Sequence, residues 1–88
     1  MIRRRVLVSG QVQGVFFRAS AREEAAQRGV AGWARNLPDG RVEAVFEGPE
    51  EAVGAMVDWC RQGTSLADVR EVEVETEEPE GLEGFEIR

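Results

Sequence analysis

The sequence predicts an α+β sandwich of element order β-α-β-β-α-β, its antiparallel sheet covered by two helices on one face, with a short extra strand at the C-terminus. Two observations carry this. Apolar residues recur every second position in several short segments and every third or fourth position in two longer ones. Each longer segment then has one apolar stripe and the strands have one apolar face, so packing both helices on the same side of one sheet buries all of it.

The first strand runs from Arg3 to Gln13, with Val6 and Val8 on one face and Leu7 opposite. From Phe17 to Arg28 the period changes: Phe17, Ala21 and Ala25 share a helical stripe, Arg22, Glu23, Glu24 and Arg28 lie elsewhere, and Gly29 stands where a C-terminal cap belongs. Val30 to Asn36 is extended, "LPDG" turns the chain, and "RVEAVFEG" alternates Val42, Ala44 and Phe46 with charged or smaller residues, so these two strands form a hairpin. Pro49 with Glu50 and Glu51 opens a second helix, where proline fits and carboxylates meet the positive end of the dipole. Val53, Met56, Val57 and Cys60 share its apolar face, and Gly63-Thr64 ends it. In "VREVEVETE" Val72 and Val74 point one way and Glu71, Glu73 and Glu75 the other. Phe85 and Ile87 alternate with Glu86 and Arg88 in the last strand, after the acidic turn "EEPEG".

At 88 residues the chain is read as one domain, residues 1–88. The longest apolar runs fall far short of the ~20 residues that span a bilayer, which makes the cytoplasm the default location, and the small size of the domain makes a monomer the default state. Cys60 is the only cysteine and histidine is absent, so the residues of an intramolecular disulfide, of Cys/His or Ser/His/Asp nucleophilic machinery and of most zinc sites are missing. No metal or cofactor is expected. A net charge of −6 argues against nucleic acid as the main partner. All eleven basic residues are arginine, which excludes the phosphate loop that ends in Gly-Lys-Ser/Thr. Sparse asparagine with abundant Glu and Arg suits a heat-adapted protein, although the absence of lysine equally reflects genome base content.

The functional signal lies in "SGQVQGVFFR", Ser9 to Arg18. Glycine weakens a strand, so Gly10 and Gly14 need another reason to be there. The segment Gly10 to Phe16 is the first β-to-α connection and leads into a helix N-terminus, where unpaired N–H groups and flexible glycines can converge on one anion. Arg18 in the first helical turn opposes the dipole unless an anion lies beside it. The same residues also read as a plain turn with a solvated Arg18, and Asn36 as a strand cap before a proline-containing turn. Phe16, Phe17 and Trp33 are read as packing, Cys60 as an inert buried thiol, and Asp39 and Glu43 as surface carboxylates.

"GQVQGVFFR", followed by "GWARN", "DGRVE" and the closing "FEIR", closely resembles the acylphosphatase family over essentially the full chain. The resemblance implies a ferredoxin-like fold and hydrolysis of acyl phosphates to a carboxylate and inorganic phosphate, the latter both product and inhibitor. It implies that Gly10, Gln11, Val12, Gln13, Gly14, Val15 and Phe16 cradle the phosphoryl group, that Arg18 grips its oxygens, and that Asn36 orients the attacking water. Where the family often carries a Gly-Pro-rich turn after the second helix, this chain has "QGTSLA", a departure expected to alter the rim of the site. An acyl phosphate needs no strong acid, because a carboxylate leaves unprotonated, and that suits a chain without histidine or evident metal ligands. The rival readings are a non-catalytic anion-binding regulatory module on the same fold and a nucleic-acid-binding domain, the latter disfavoured by Glu71, Glu73 and Glu75 on the sheet.

Overall fold

Valines at every second position of the first strand are central to the packing, because that strand lies inside the sheet and is paired on both sides. The computed structural model describes residues Met1 to Arg88. Its elements are β1 (Ile2–Gln11), α1 (Phe17–Arg28), β2 (Ala31–Asn36), β3 (Val42–Gly48), α2 (Glu50–Gln62), β4 (Asp68–Glu77) and β5 (Phe85–Ile87). The sheet order is β4-β1-β3-β2-β5. Val6 pairs with Ala44 on one side and Val74 on the other, and Val8 with Val42 and Val72, so the apolar faces of three strands are in register.

On that face Val6, Val8, Ala34, Val42, Ala44 and Phe46 are buried against Phe17, Ala21 and Ala25 of α1 and Val53, Met56, Val57 and Cys60 of α2. Burying each large side chain stabilises the fold by about 1.5–3 kcal/mol. The rings of Phe17 and Trp59 lie 5.0 Å apart and join the two helices. Phe46 stacks on Phe85 at 5.8 Å, which fastens β5 to the core. Burial pushes the Cys60 thiol up to about 12, so it stays protonated and inert, as expected. Neither helix is long and apolar enough to cross a membrane.

The expected order and the two-helix layer are present, with one refinement. β5 pairs with β2 in parallel, whereas every other pairing is antiparallel. Topology explains this: β4 ends beside Arg3 at the end of the sheet where β2 begins. The segment from Glu78 to Gly84 crosses along that end to the opposite edge, so β5 has to run in the direction of β2. Val74 lies at the β4 edge and stays 40% exposed, because the helices do not fully cover the outermost strand.

The other face of the sheet corrects the expectation of surface carboxylates. Glu71, Glu73 and Glu75 are exposed, but Glu43 is 3% exposed and Glu47 only 1%, because β3 is a central strand and arginine side chains from its neighbours lie over it. Arg5 and Arg35 both donate to the Glu43 carboxylate. Arg3 donates to Glu47 at 2.7 Å and to Glu77 at 2.8 Å. Burial pushes both buried carboxyls up, and it is outweighed by two guanidinium partners at Glu43 and by Arg3 with three main-chain N–H donors at Glu47, so each sits below the usual carboxylate range. Every buried side-chain nitrogen and oxygen has a partner.

Candidate active site

At the far end of the sheet, the end of β1, the start of α1, the end of β2 and the last residues of β5 come together. β1 remains paired with β4 through Gln11, with a register shift between Ser9 and Gly10. Gly10 has φ 119°, and a Cβ there would lie 2.2 Å from the Asp68 carbonyl oxygen, so this close crossing of two backbones admits only glycine. The connection is therefore shorter than Gly10 to Phe16. Gly10 and Gln11 belong to the strand, and Val12 to Phe16 form the loop.

The loop turns at Gly14, whose φ is 74°, with open space where a side chain would be. Phe16 then takes the left-handed conformation, φ 63° and ψ 24°, as the cap residue of α1. Phe17 is driven inward, 2% exposed, and Phe16 outward, 72% exposed. The reading of Phe16 as packing is thus corrected: the core position is filled by its neighbour. Trp33 is half-buried on the open face, with the guanidinium of Arg88 4.7 Å from its ring and that of Arg35 5.6 Å away.

Two side chains hold the loop. Gln13 donates through its amide to the carbonyls of Leu37 and Arg41, at 2.8 and 2.9 Å, which ties the loop to the turn that follows Asn36. The Thr64 hydroxyl donates to the Val15 carbonyl at 2.7 Å. A trans peptide points its C=O and N–H in opposite directions, so Thr64 also fixes the direction of the Phe16 N–H. Sequence reasoning gave neither role. Thr64 lies in the "QGTSLA" departure, which marked the rim without revealing this bond.

No main-chain N–H from Val12 to Ala19 donates to a protein acceptor; the first amide to do so is that of Ser20, to the Phe16 carbonyl. α1 has no acidic residue in its first turn and no side-chain cap. The helix end therefore presents uncompensated positive partial charge. Arg18 stands beside it, half-buried, with one Nη1 bond to the main-chain oxygen of Arg88 at 3.2 Å and its other N–H groups unbonded within the protein. Arg88 is placed there by its own N–H, which donates to the Ala34 carbonyl at 2.8 Å.

These groups surround a cavity of about 240 Å³. Val12, Gly14, Phe16 and Arg18 line it from the loop and helix, Asn36 from β2, and Ile87 from β5. Gly10, Gln11, Gln13 and Val15 do not line it. Asn36 is exposed at the end of β2, paired with Val42. Asp39 is engaged by the Arg41 N–H and guanidinium, and Glu43 by Arg5 and Arg35, so neither carboxylate beside the turn is unpartnered. Nowhere do three or more Asp, Glu or Cys side chains gather in an arrangement that could hold a metal ion. The chemistry available is that of a fixed anion receptor: amides and one guanidinium on one side, one carboxamide on the other.

Fold and site define a ferredoxin-like βαββαβ domain with a loop of unbonded amides between its first strand and first helix. The profile of the acylphosphatase family matches residues 4–87. An acylphosphatase of Haloarcula marismortui is 60% identical over 86 residues, covering 98% of this chain and 94% of the relative. Among solved structures, the acylphosphatase from Bacillus subtilis superposes with a TM-score of 0.96 at 39% identity, covering 100% of this chain and 99% of that one. The acylphosphatase from Coxiella burnetii gives 0.95 at 37% identity, covering 99% and 92%. The chain belongs to the acylphosphatase family.

Proposed function

We propose that this protein hydrolyses the carboxyl-phosphate anhydride of acyl phosphates without a metal, releasing a carboxylate and inorganic phosphate, with Arg18 and the loop amides holding the phosphoryl group and Asn36 orienting the water. The observation that carries the reading is that Arg18 and Asn36 line one cavity beside a helix start whose amides have no protein acceptor. In loose phosphoryl transfer the protein has mainly to position the reactants and to stabilise charge on the equatorial oxygens. The amides and the guanidinium of Arg18 supply that charge from fixed positions. The carboxamide oxygen of Asn36 accepts a hydrogen bond from water and aligns it with the phosphorus, and the substrate phosphate takes the proton, since a carboxamide is not a strong base. The bond that breaks is the phosphorus–oxygen bond to the acyl group, whose carboxylate departs with the electron pair and needs no acid.

Phosphate release from acetyl phosphate in the presence of chelator tests this directly. Turnover is expected to be unaffected by chelator and nearly flat from about pH 6 to about pH 8, because none of the assigned groups titrates there. A bell centred near neutrality, or strict dependence on a divalent ion, would overturn the mechanism. Phosphate binding without turnover would favour the regulatory anion-binding module.

A further inference from the structure

We propose that Gln13 is a positioning residue: its carboxamide sets the place of Asn36, and with it the attacking water, relative to the loop that holds the phosphoryl group. The inference rests on the acyl-phosphate reading above and adds how the two halves of that site are kept in register.

The two halves are carried by different parts of the chain. β1 leaves β3 at Val8, whose partner Val42 is also the partner of Asn36. Beyond that level no main-chain hydrogen bond joins the loop of residues 12–16 to the turn of residues 37–41. Asn36 is exposed at the very end of β2 and leads directly into that turn, so its carboxamide moves with the turn. Gln13 crosses the gap. Its Nε2 donates to the Leu37 carbonyl at 2.8 Å and to the Arg41 carbonyl at 2.9 Å. Leu37 follows Asn36 and Arg41 precedes Val42, so one amide grips both sides of the hairpin one position beyond Asn36.

Each half also has its own ties. The turn is closed by the Leu37 N–H on the Arg41 carbonyl at 2.8 Å, by the Gly40 N–H on the Leu37 carbonyl at 3.1 Å, and by the Asp39 carboxylate on Arg41. The loop is held at its start by the pairing of β1 with β4 through Gln11, and near its end by Thr64 on the Val15 carbonyl. What Gln13 adds is therefore the mutual placement of two parts that keep their own shapes. A carboxamide suits the task, because it offers two N–H donors on one nitrogen without charge, whereas a carboxylate of the same length would turn only acceptors toward two carbonyls. Gln13 does not line the cavity, so it acts through Asn36 and not on the substrate. In-line attack is sensitive to such placement: a shift of about 1 Å costs up to about 10²-fold in rate.

The test is a double-mutant cycle on acetyl phosphate turnover, with the parent, Gln13→Ala, Asn36→Ala and the double variant, and inhibition by inorganic phosphate measured in each. Gln13→Ala is expected to lower kcat about tenfold and to leave the inhibition constant of phosphate within about threefold, because Arg18 and the loop amides stay in place. In the double variant kcat is expected to match that of Asn36→Ala within about twofold, since a side chain that acts through Asn36 has nothing to position once that carboxamide is gone. Gln13→Met, which keeps the length of the side chain and donates nothing, is expected to behave as Gln13→Ala and serves if the alanine variant folds poorly. Losses that multiply in the double variant, an unchanged kcat in both Gln13 variants, or a loss of phosphate affinity as severe as the loss of kcat overturns the inference alone. A parent that does not hydrolyse acetyl phosphate, or an Asn36→Ala variant as fast as the parent, overturns the reading of the site and this inference with it.

Discussion

Two places in this molecule use the same receptor chemistry to opposite ends. At one end of the sheet the Glu47 carboxylate accepts from the consecutive N–H groups of Glu80, Gly81 and Leu82, at 3.0, 3.0 and 3.1 Å, and from the guanidinium of Arg3. At the other end, no main-chain N–H from Val12 to Ala19 is bonded within the protein, the guanidinium of Arg18 lines a cavity, and no Asp or Glu side chain reaches them; the one acceptor there is the main-chain oxygen of Arg88. Main-chain amides plus one arginine receive a carboxylate in the first case and, on the proposed reading, a phosphoryl group in the second. Where the anion is a side chain of the same chain, the receptor staples the β4–β5 crossing to the sheet. Where it is left to solvent, the receptor is available to a ligand. The difference lies in whether the fold brings a carboxylate to the amides.

The comparison predicts opposite consequences of removing each arginine or its anion. Arg18→Ala is expected to lower kcat/KM for acetyl phosphate by 10²-fold or more, about 3 kcal/mol, and to abolish inhibition by inorganic phosphate. Its urea unfolding midpoint should stay near that of the parent, because the one protein bond of Arg18 is an exposed one. Arg18→Lys is not expected to rescue turnover, since a point donor does not replace the fork. Full activity in Arg18→Ala, or a large loss of stability, would break the comparison.

Glu47→Ala is expected to do the reverse. It leaves a mostly buried Arg3 and three amides of the crossing segment without their acceptor, which costs about 3 kcal/mol of stability by urea denaturation, with little change in kcat for the folded fraction. The same group gives a pH signature. Guanidinium and amide partners hold Glu47 below its ordinary value of 4.5 in the fold. Its contribution is therefore complete above about pH 4.5 and is lost as pH falls through the lowered folded value, where the unfolded chain binds the proton first. Acid titration of stability should be shallower in Glu47→Gln than in the parent. An equally steep titration would mean that the other lowered carboxyls, Glu43 beside Arg35 and Arg5 and Asp39 beside Arg41, carry the acid sensitivity.

Asn36→Ala sharpens the distinction inside the site. If the carboxamide aligns water while the amides and Arg18 bind phosphate, kcat is expected to fall by roughly 30-fold, about 2 kcal/mol, with phosphate still inhibiting at nearly unchanged affinity. Loss of phosphate affinity to the same degree would make Asn36 part of the receptor. The smallest expected effect is that of Thr64→Val. It removes one hydrogen bond to the Val15 carbonyl, worth about 1 kcal/mol of stability, and frees the peptide whose N–H is proposed to join the cradle. KM is expected to rise a few-fold more than kcat falls. An unchanged KM would show that the loop keeps its shape without this tether.

Much of the architecture is legible along the chain because it is set by local pattern. The period of Val6 and Val8, the stripe of Phe17, Ala21 and Ala25, and the proline-opened helix ending in Cys60 each specify an element from its own residues. Gly14, Arg18 and Asn36 stand out because glycine, an arginine in a helix's first turn and a lone asparagine are conspicuous locally, and the family resemblance joins segments distant in sequence. What sequence could not supply are the properties that belong to neighbours. Glu43 and Glu47 look like the exposed half of an alternating strand, yet β3 is central and arginines from β1 and β2 close over Glu43 while Arg3 and the β4–β5 crossing close over Glu47. The parallel placement of β5 follows from where β4 stops, and with it come Ile87 and Arg88 at the site. Between Phe16 and Phe17, identical in type, no local rule decides which one is buried; the backbone turns left-handed at the first, and the packing against Trp59 takes the second. Local periodicity fixes which elements form and which face of each is apolar, because it depends on residues a few positions apart. Burial, ionic partners and the composition of the cavity wall depend on residues tens of positions apart, and only the closed sheet brings those together.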